Sequence, residues 1–280
     1  MAITSMEGIS SIMEGISSIS FGRSDWLFDY ATNTILGYVG EDPDLVLPSK
    51  QFTTPATKVG NRAFYIKLGI ESIVVPEGYT DLEDYCMYSS DNMHTISLPG
   101  SVINVGTAVA QDCNGLTTVN LAEGFPIIGE HMFTDATILA SIDMPSTITW
   151  IGQAAFRDCA VLAHAPIPDA VTFLGPQAFQ RCTLLPNVVL PASLVEIGAS
   201  AFDSCSQFTS IIIPAGVTTI GPSAFLNCGQ LTLAHFDGDA PPSFGTTVFY
   251  QAHPSFQITY NTGAAGFTTP TWNGYPCFPI

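Results

Sequence analysis

The sequence predicts a β-rich, right-handed solenoid built from tandem 23-residue repeats, with short parallel strands, short helical turns and a cap at each end. Three observations support this prediction. Short apolar runs that end at a proline recur every 23 residues, a glycine follows seven residues after most of these prolines, and a phenylalanine with a cysteine three residues later completes the repeat. One such unit cannot bury its apolar positions alone, so neighbouring units must stack into a continuous core.

The first element of the repeat is a short strand that ends at the landmark proline, called here the proline strand. In the repeat that begins at Leu185, the positions of Leu185, Val188 and Leu190 follow the Leu-x-x-Leu-x-Leu spacing of a strand edge. Proline ends the strand because it has no N–H to donate. The landmark position is occupied by Pro76, Pro99, Ala122, Pro145, Pro168, Pro191 and Pro214.

A second extended segment, called here the glycine strand, is predicted on the other side of each coil and ends at the landmark glycine. In the same repeat it runs from Leu194 to Ile197, and Gly198 turns the chain. The residues from Ala201 to Cys205 are then expected to form a short helical turn. The phenylalanine position is occupied by Phe133, Phe156, Phe179, Phe202 and Phe225, and the cysteine position by Cys113, Cys159, Cys182, Cys205 and Cys228.

The pattern divides the chain into a solenoid and its ends. Residues 21–47 alternate apolar and polar residues around Asn33, which predicts a hairpin that caps the first coil. The leucine-rich-repeat solenoid is predicted over residues 48–249. Residues 250–280 lose the repeat pattern and are expected to form a terminal cap over the last open edge.

The N-terminal tail, residues 1–20, contains the heptad MEGISSI twice. Its isoleucines are spaced three, four and three residues apart, as in the seam of a short coiled coil, while two glycines disfavour a helix that is stable alone. Two interpretations stay open: a flexible tail or a strand that wraps the first coil, and a peptide that anchors the chain or forms a homo-oligomer. The seam consists of Ile9, Ile12, Ile16 and Ile19.

Composition excludes several classes of partner. The chain carries 24 acidic residues against seven Lys and Arg, a formal net charge of -17. Nucleic acid and anionic membrane surfaces would be repelled. No apolar run reaches the ~18 residues of a membrane span, so membrane insertion is not expected.

Catalytic and metal chemistry find no support in the sequence. It contains no nucleophile elbow, zinc-protease motif, phosphate-binding loop or Cys-x-x-Cys pair. The five histidines occupy different phases of the repeat and should not converge on a metal. The cysteines share one inward phase, where parallel stacking gives poor disulfide geometry, so a column of buried free thiols is expected. The prediction is therefore a protein that is not an enzyme and has no cofactor.

Surface ladders are the better candidates for function, because residues one period apart become neighbours in space. On the outward position of the glycine strands, three large apolar residues follow one another: Ile127, Trp150 and Phe173. On the outward position of the proline strands, Val189 and Ile212 form a second apolar run. Each run is either covered by a cap, the tail or a neighbouring subunit, or serves as a binding hot spot.

The repeat resembles the BspA-like class of bacterial surface leucine-rich repeats. Residues 188–208 and 211–231 match its consensus, Leu-x-x-Ile-x-Ile-Pro-x-x-Val-x-x-Ile-Gly-x-x-Ala-Phe-x-x-Cys, almost position for position. The resemblance covers about residues 45–250 and implies a leucine-rich-repeat fold. It also implies an adhesion or binding protein at the cell surface, with no catalytic residues to carry over.

Two functions follow as hypotheses. The first is a binding or adhesion module, extracellular or on the cell surface, that recognises protein or glycan through a sheet face. The alternative is a structural or receptor-binding component of a larger particle, such as a phage virion decoration or tail protein. It is favoured by the duplicated heptad and by an N-terminus that lacks the features of an export signal.

Overall fold

The structure is a computed structural model, and it describes residues 25–48 and 55–280. The chain forms a β-solenoid of about ten coils. The tail seam of Ile9, Ile12, Ile16 and Ile19 lies outside the described residues, so the anchoring and oligomerising roles stay predictions. The right-handed winding also stays a prediction.

The glycine strands form two five-stranded sheets along one side of the coils. Except for the first pair, each strand is parallel to its neighbour, and partners such as Phe173 and Glu196 lie one repeat apart. The first sheet contains β1 (Trp26–Asp29), β2 (Thr34–Tyr38), β4 (Lys58–Val59), β6 (Asp81–Leu82) and β8 (Asn104–Val105); the second contains β10 (Trp150–Ile151), β11 (Phe173–Leu174), β12 (Glu196–Ile197), β14 (Thr219–Ile220) and β16 (Ser243–Phe244).

The proline strands form a separate series of two sheets, with a gap between them. The first sheet contains β3 (Asp44–Val46), β5 (Ser72–Val74), β7 (Thr95–Leu98) and β9 (Thr118–Leu121); the second contains β13 (Ser210–Ile213), β15 (Leu233–Phe236), β17 (Gln257–Tyr260), β18 (Thr271–Trp272) and β19 (Tyr275–Pro279). Between residues 122 and 209 this side of the coil has only isolated bridges, such as Ser141 with His164.

The segment after each landmark glycine is a series of turns, and the predicted short helical turn does not appear among the described residues. In the coil of Phe156, Ala154 and Asp158 adopt left-handed φ angles of 51° and 62°, which a right-handed helix cannot accommodate. Successive backbone N–H groups then donate alternately to the next coil and to a carbonyl within the same turn. The Phe156 N–H donates to Ala178 of the next coil over 2.8 Å, whereas the Arg157 N–H donates within the turn.

The interior contains the predicted columns. Phe133, Phe156, Phe179, Phe202, Phe225 and Phe249 stack along the rod with ring centroids 5.1–5.6 Å apart. The cysteines are free and buried. Each thiol of the column donates to a carbonyl one coil back, as Cys182 Sγ does to Phe156 O over 3.1 Å. Residues one period apart therefore lie above one another, as the repeat predicts.

The terminal segments extend the sheets. Strands β1 and β2 form an antiparallel hairpin, and β2 pairs in parallel with β4 of the first coil. At the other end β17 and β19 add two strands to the proline-strand sheet, and β18 folds back antiparallel on β19. Trp272 is buried there against Phe236, Phe244 and Phe267. These positions suit the predicted capping role, which stays a prediction.

Candidate binding surfaces

The glycine-strand stripe places two aromatic rings together. Trp150 and Phe173 are direct partners in the parallel sheet, and their rings stack with centroids 5.8 Å apart and planes 15° apart. The bridge between Ile128 and Ile151 puts Ile127 beside Trp150. All three outward side chains of the stripe are half-buried, because they lie along the sheet and partly cover one another. The three side chains therefore form a flat patch and do not project separately into solvent.

The proline-strand run is more exposed. Val189 has 85% of its surface accessible and Ile212 has 56%. The sequence-predicted residues therefore form two patches on different sides of the coil: Ile127, Trp150 and Phe173 on the glycine-strand side, Val189 and Ile212 on the proline-strand side.

The second patch lies at the gap in the proline-strand sheets, and two prolines explain this gap. In other coils the residue equivalent to Pro186 donates its N–H to the coil before, as Ala163 does to Ala140 O over 2.8 Å. Proline cannot make this bond. Pro166 occupies the middle position of the proline-strand segment one coil earlier and likewise cannot donate. No proline strand forms over residues 165–168 or 186–191.

An asparagine side chain bridges part of the gap. Asn187 Oδ1 accepts the N–H groups of Thr209 and Ser210 over 2.8 and 3.2 Å. In regular coils such N–H groups bind a backbone carbonyl, as the Thr232 N–H binds Thr209 O over 2.9 Å. The side chain of Asn187 thus holds the next coil in place of the backbone.

The segment 186–190 bulges outward as a result. Val188 is half-buried, although its counterparts one coil before and one coil after, Ala165 and Ile211, are buried. Within the described part of the chain, no backbone hydrogen bond joins residues 186–190 to a neighbouring coil. The bulge separates two clefts: one of about 320 Å³, bordered by Pro166, Asp169 and Val189 among others, and one of about 410 Å³, bordered by Val189, Ile212 and Asp237 among others.

A column of carboxylates on the turn side was missed by the sequence reasoning, although its 23-residue spacing could have disclosed it. Asp112, Asp135 and Asp158 occupy the same left-handed turn position, with φ of 58°, 61° and 62°. Asp158 is paired with Arg181 Nη1 at 3.1 Å. Desolvation by burial, followed by the charges of Asp158 and Asp112, raises the pKa of the Asp135 carboxyl.

A tyrosine cluster lies near this column and was also missed. The rings of Tyr65 and Tyr88, one period apart, stack with centroids 5.2 Å apart, and Tyr85 meets Tyr88 edge-on at 5.7 Å. The Arg62 guanidinium lies 5.5 Å from the Tyr65 centroid. A hydrogen bond to Asp112 is the main reason that the pKa of Tyr88 rises to about 12.

Metal-ligating clusters and membrane-spanning helices are absent from the described ranges. Over residues 25–48 and 55–280 there is no group of three or more His, Cys, Asp or Glu side chains arranged to hold a metal ion. Over the same ranges, no helix is long and apolar enough to cross a membrane.

Comparisons with known proteins place the fold in a family. The BspA type leucine-rich repeat region matches in six copies, over residues 46–163 and 161–262, which is more than half of the chain. Among curated proteins no sequence matches.

Solved structures that share the fold include two bacterial proteins. The T. pallidum leucine-rich repeat protein TpLRR is 23% identical with a TM-score of 0.56, covering 76% of this chain and 91% of that chain. The pneumococcal vaccine antigen PcpA is 15% identical with a TM-score of 0.50, covering 95% of this chain and 85% of that chain. The repeat match, the parallel coils and the interior phenylalanine column agree, and the chain belongs to the BspA-type leucine-rich repeat family.

Proposed function

We propose that this chain is a non-enzymatic binding module, outside the cell or on its surface, that recognises a protein or a glycan through a sheet face of the solenoid. Membership of the BspA-type family supports a binding role and a surface location, since proteins of this family are typically surface-associated. The strongly acidic composition agrees with a partner that is neither nucleic acid nor an anionic membrane.

The stacked pair of Trp150 and Phe173 is the observation that carries this proposal. Its rings lie on the outward side of a parallel sheet, 5.8 Å apart, with Ile127 alongside. The sheet fixes both aromatic side chains before any partner arrives, so little conformational entropy is lost on binding. Aromatic anchors held in this way are typical of binding hot spots.

The test is binding of the purified chain to arrays of extracellular proteins and glycans. We expect the wild type to retain at least one array member and the Trp150→Ser/Phe173→Ser variant to lose at least tenfold in affinity. Ile138→Ser is the matched control, because Ile138 is an exposed aliphatic residue on a turn, with 47% of its surface accessible. If the double variant binds as well as the wild type and its circular dichroism is unchanged, the stripe of Ile127, Trp150 and Phe173 is not the binding surface.

The alternative hypothesis, a component of a larger particle, has no support from these comparisons. Assembly through Ile9, Ile12, Ile16 and Ile19 stays a prediction for residues outside the described ranges.

A further inference from the structure

We propose that the bulged segment 186–190 and its two clefts bind an extended, cationic peptide segment of a partner protein. In this site an aliphatic side chain of the partner lies beside Val189, and a Lys or Arg lies near Asp169 or Asp237. The inference rests on the proposed binding function and names the class of partner for its second patch, Val189 and Ile212.

The backbone of the bulge is the first reason. Among the residues that the structure describes, 186–190 make no backbone hydrogen bond to the coil on either side, and Pro186, Asn187 and Val189 are exposed. Peptide groups in folded proteins need partners, which water supplies when the segment is free. An extended peptide carries its own unpaired N–H and C=O groups and can replace that water, as in other modes of strand recognition.

The shape and polarity of the clefts are the second reason. They lie on opposite sides of the bulge, with volumes of about 320 and 410 Å³. Val189 borders both, and Ile212 borders the larger one. Two partly apolar clefts separated by one projecting valine suit side chains that alternate along an extended chain.

The charge of the chain determines which kind of partner the two clefts favour. From residue 182 to the C-terminus the chain contains no Lys or Arg. Asp169 borders one cleft and Asp237 borders the other, and both are exposed. A second copy of this chain would bring another formal charge of -17 and be repelled, whereas a basic peptide would be attracted.

The probe is an array of heptapeptides with Val or Ile at alternate positions and with Lys, Arg, Ser or Glu at the positions between. We expect the intact chain to bind the Lys and Arg peptides and not the Ser or Glu peptides. Matching Lys peptides with Ser in place of Val or Ile should bind at least tenfold more weakly.

Variants then locate the site. Val189→Ser should weaken binding of the best array peptide at least tenfold, and Asp169→Asn/Asp237→Asn should weaken it at least fivefold at low salt. Ile103→Ser is the control, because Ile103 is an aliphatic residue beside a glycine strand with 68% of its surface accessible. Val189 is exposed enough that its replacement should leave the thermal unfolding midpoint unchanged.

Three outcomes would overturn the inference: no array member binds, Val189→Ser binds as the wild type does, or the Ser-for-Val peptides bind equally well. Equal binding of the Ser-for-Val peptides would mean that charge attraction alone accounts for peptide binding. Peptide binding should survive in Trp150→Ser/Phe173→Ser. If no peptide binds at the bulge while binding at the aromatic stripe is intact, this inference is rejected and the proposed function is unaffected.

Discussion

Each landmark glycine lies where one coil turns against the backbone of the coil before it. A Cβ added to Gly198 would lie 2.5 Å from both the Gly175 carbonyl carbon and the Pro176 nitrogen. Neither backbone atom can move away without displacing its own coil. The glycine is therefore required by the close approach of the backbones, and no left-handed φ is involved.

Gly198→Ala should lower the free energy of unfolding by about 1–3 kcal/mol, the usual cost of overpacking a filled interior. Gly229→Ala is the matched control, because a Cβ there meets nothing within 4 Å. Urea unfolding followed by circular dichroism measures both. Equal midpoints for the two variants would contradict the close contact between coils.

The cysteine column should be chemically silent in the folded protein. All seven cysteines are free and buried, and burial raises the pKa of the Cys113 and Cys228 thiols to about 12. The thiolate is the reactive form, so a disulfide reagent at pH 8 should label none of the seven in the native chain. All seven should react in guanidinium. Rapid labelling of several thiols without denaturant would contradict the interior column.

Asp135 gives the stability a defined pH dependence. Desolvation, then the Asp158 and Asp112 charges, raises its pKa in the folded chain. Its stabilising contribution is thus fully present below the ordinary carboxyl pKa and is lost as pH rises through the folded value. Asp135→Asn should raise the free energy of unfolding at pH 7 by less than about 1 kcal/mol, because solvent screens a partly exposed group.

That gain should shrink as the pH falls below about 4 and should be nearly lost at pH 3, where the wild-type carboxyl is mostly protonated in both states. Asp169→Asn is the control, since Asp169 is exposed and lies in a different part of the coil. Thermal unfolding measured between pH 3 and pH 8 shows how the stability gain of Asp135→Asn changes with pH. A gain that persists unchanged at pH 3 would mean that the carboxylate charge is not its cause.

Some residues were predictable from the sequence and others were not, for physical reasons. The phenylalanine and cysteine columns follow from spacing alone, since stacking fixes one interior position per period. The bulge at 186–190 was not predicted, because Val188, Val189 and Leu190 keep the apolar pattern of a regular strand. The available signal was Pro186, which stands where other coils need an N–H donor.

At the scale of elements, periodicity predicted which side chains face inward but could not fix backbone conformation. A helical turn and a series of tight turns bury the same phenylalanine. The structure has the latter, since Ala154 and Asp158 take left-handed φ and alternate N–H groups reach the next coil. The flat arrangement of Trp150 and Phe173 also could not be predicted from the sequence, because the orientation of each ring depends on its stacked neighbour.

The C-terminal hairpin of β18 and β19 should act as a cap that protects the last coils. Trp272 is buried against Phe236, Phe244 and Phe267, with ring centroids 4.5–5.7 Å away. Trp272→Ala should lower the free energy of unfolding by about 3 kcal/mol through the cavity it leaves. In a solenoid each coil contacts only its neighbours, so the loss should stay local.

Amide hydrogen exchange resolves that locality. We expect faster exchange over residues 233–280 in Trp272→Ala and wild-type protection in the first coils, up to β9. Uniform acceleration along the whole chain would show that the hairpin stabilises the solenoid globally and is no local cap.

For the molecule as a whole, one rule connects sequence to surface: a shift of 23 residues is a shift of one coil along the rod. The partner pairs Ser97 with Asn120 and Ile212 with His235 both obey it. Every candidate surface depends on this rule, because it converts sequence phase into a patch. The last coils depart by one residue, as Leu233 pairs with Gln257, and keep the same stacking.

Distances between paired spin labels test the rule most directly, since the buried native thiols should not take up the label. Ser97→Cys is combined with Val189→Cys, Ile212→Cys or His235→Cys, which lie four, five and six periods away. At ~4.8 Å per strand spacing, we predict separations of ~19, ~24 and ~29 Å, rising evenly with each period. Separations that fail to rise in step with the number of periods would contradict the stacked-coil account and the surfaces derived from it.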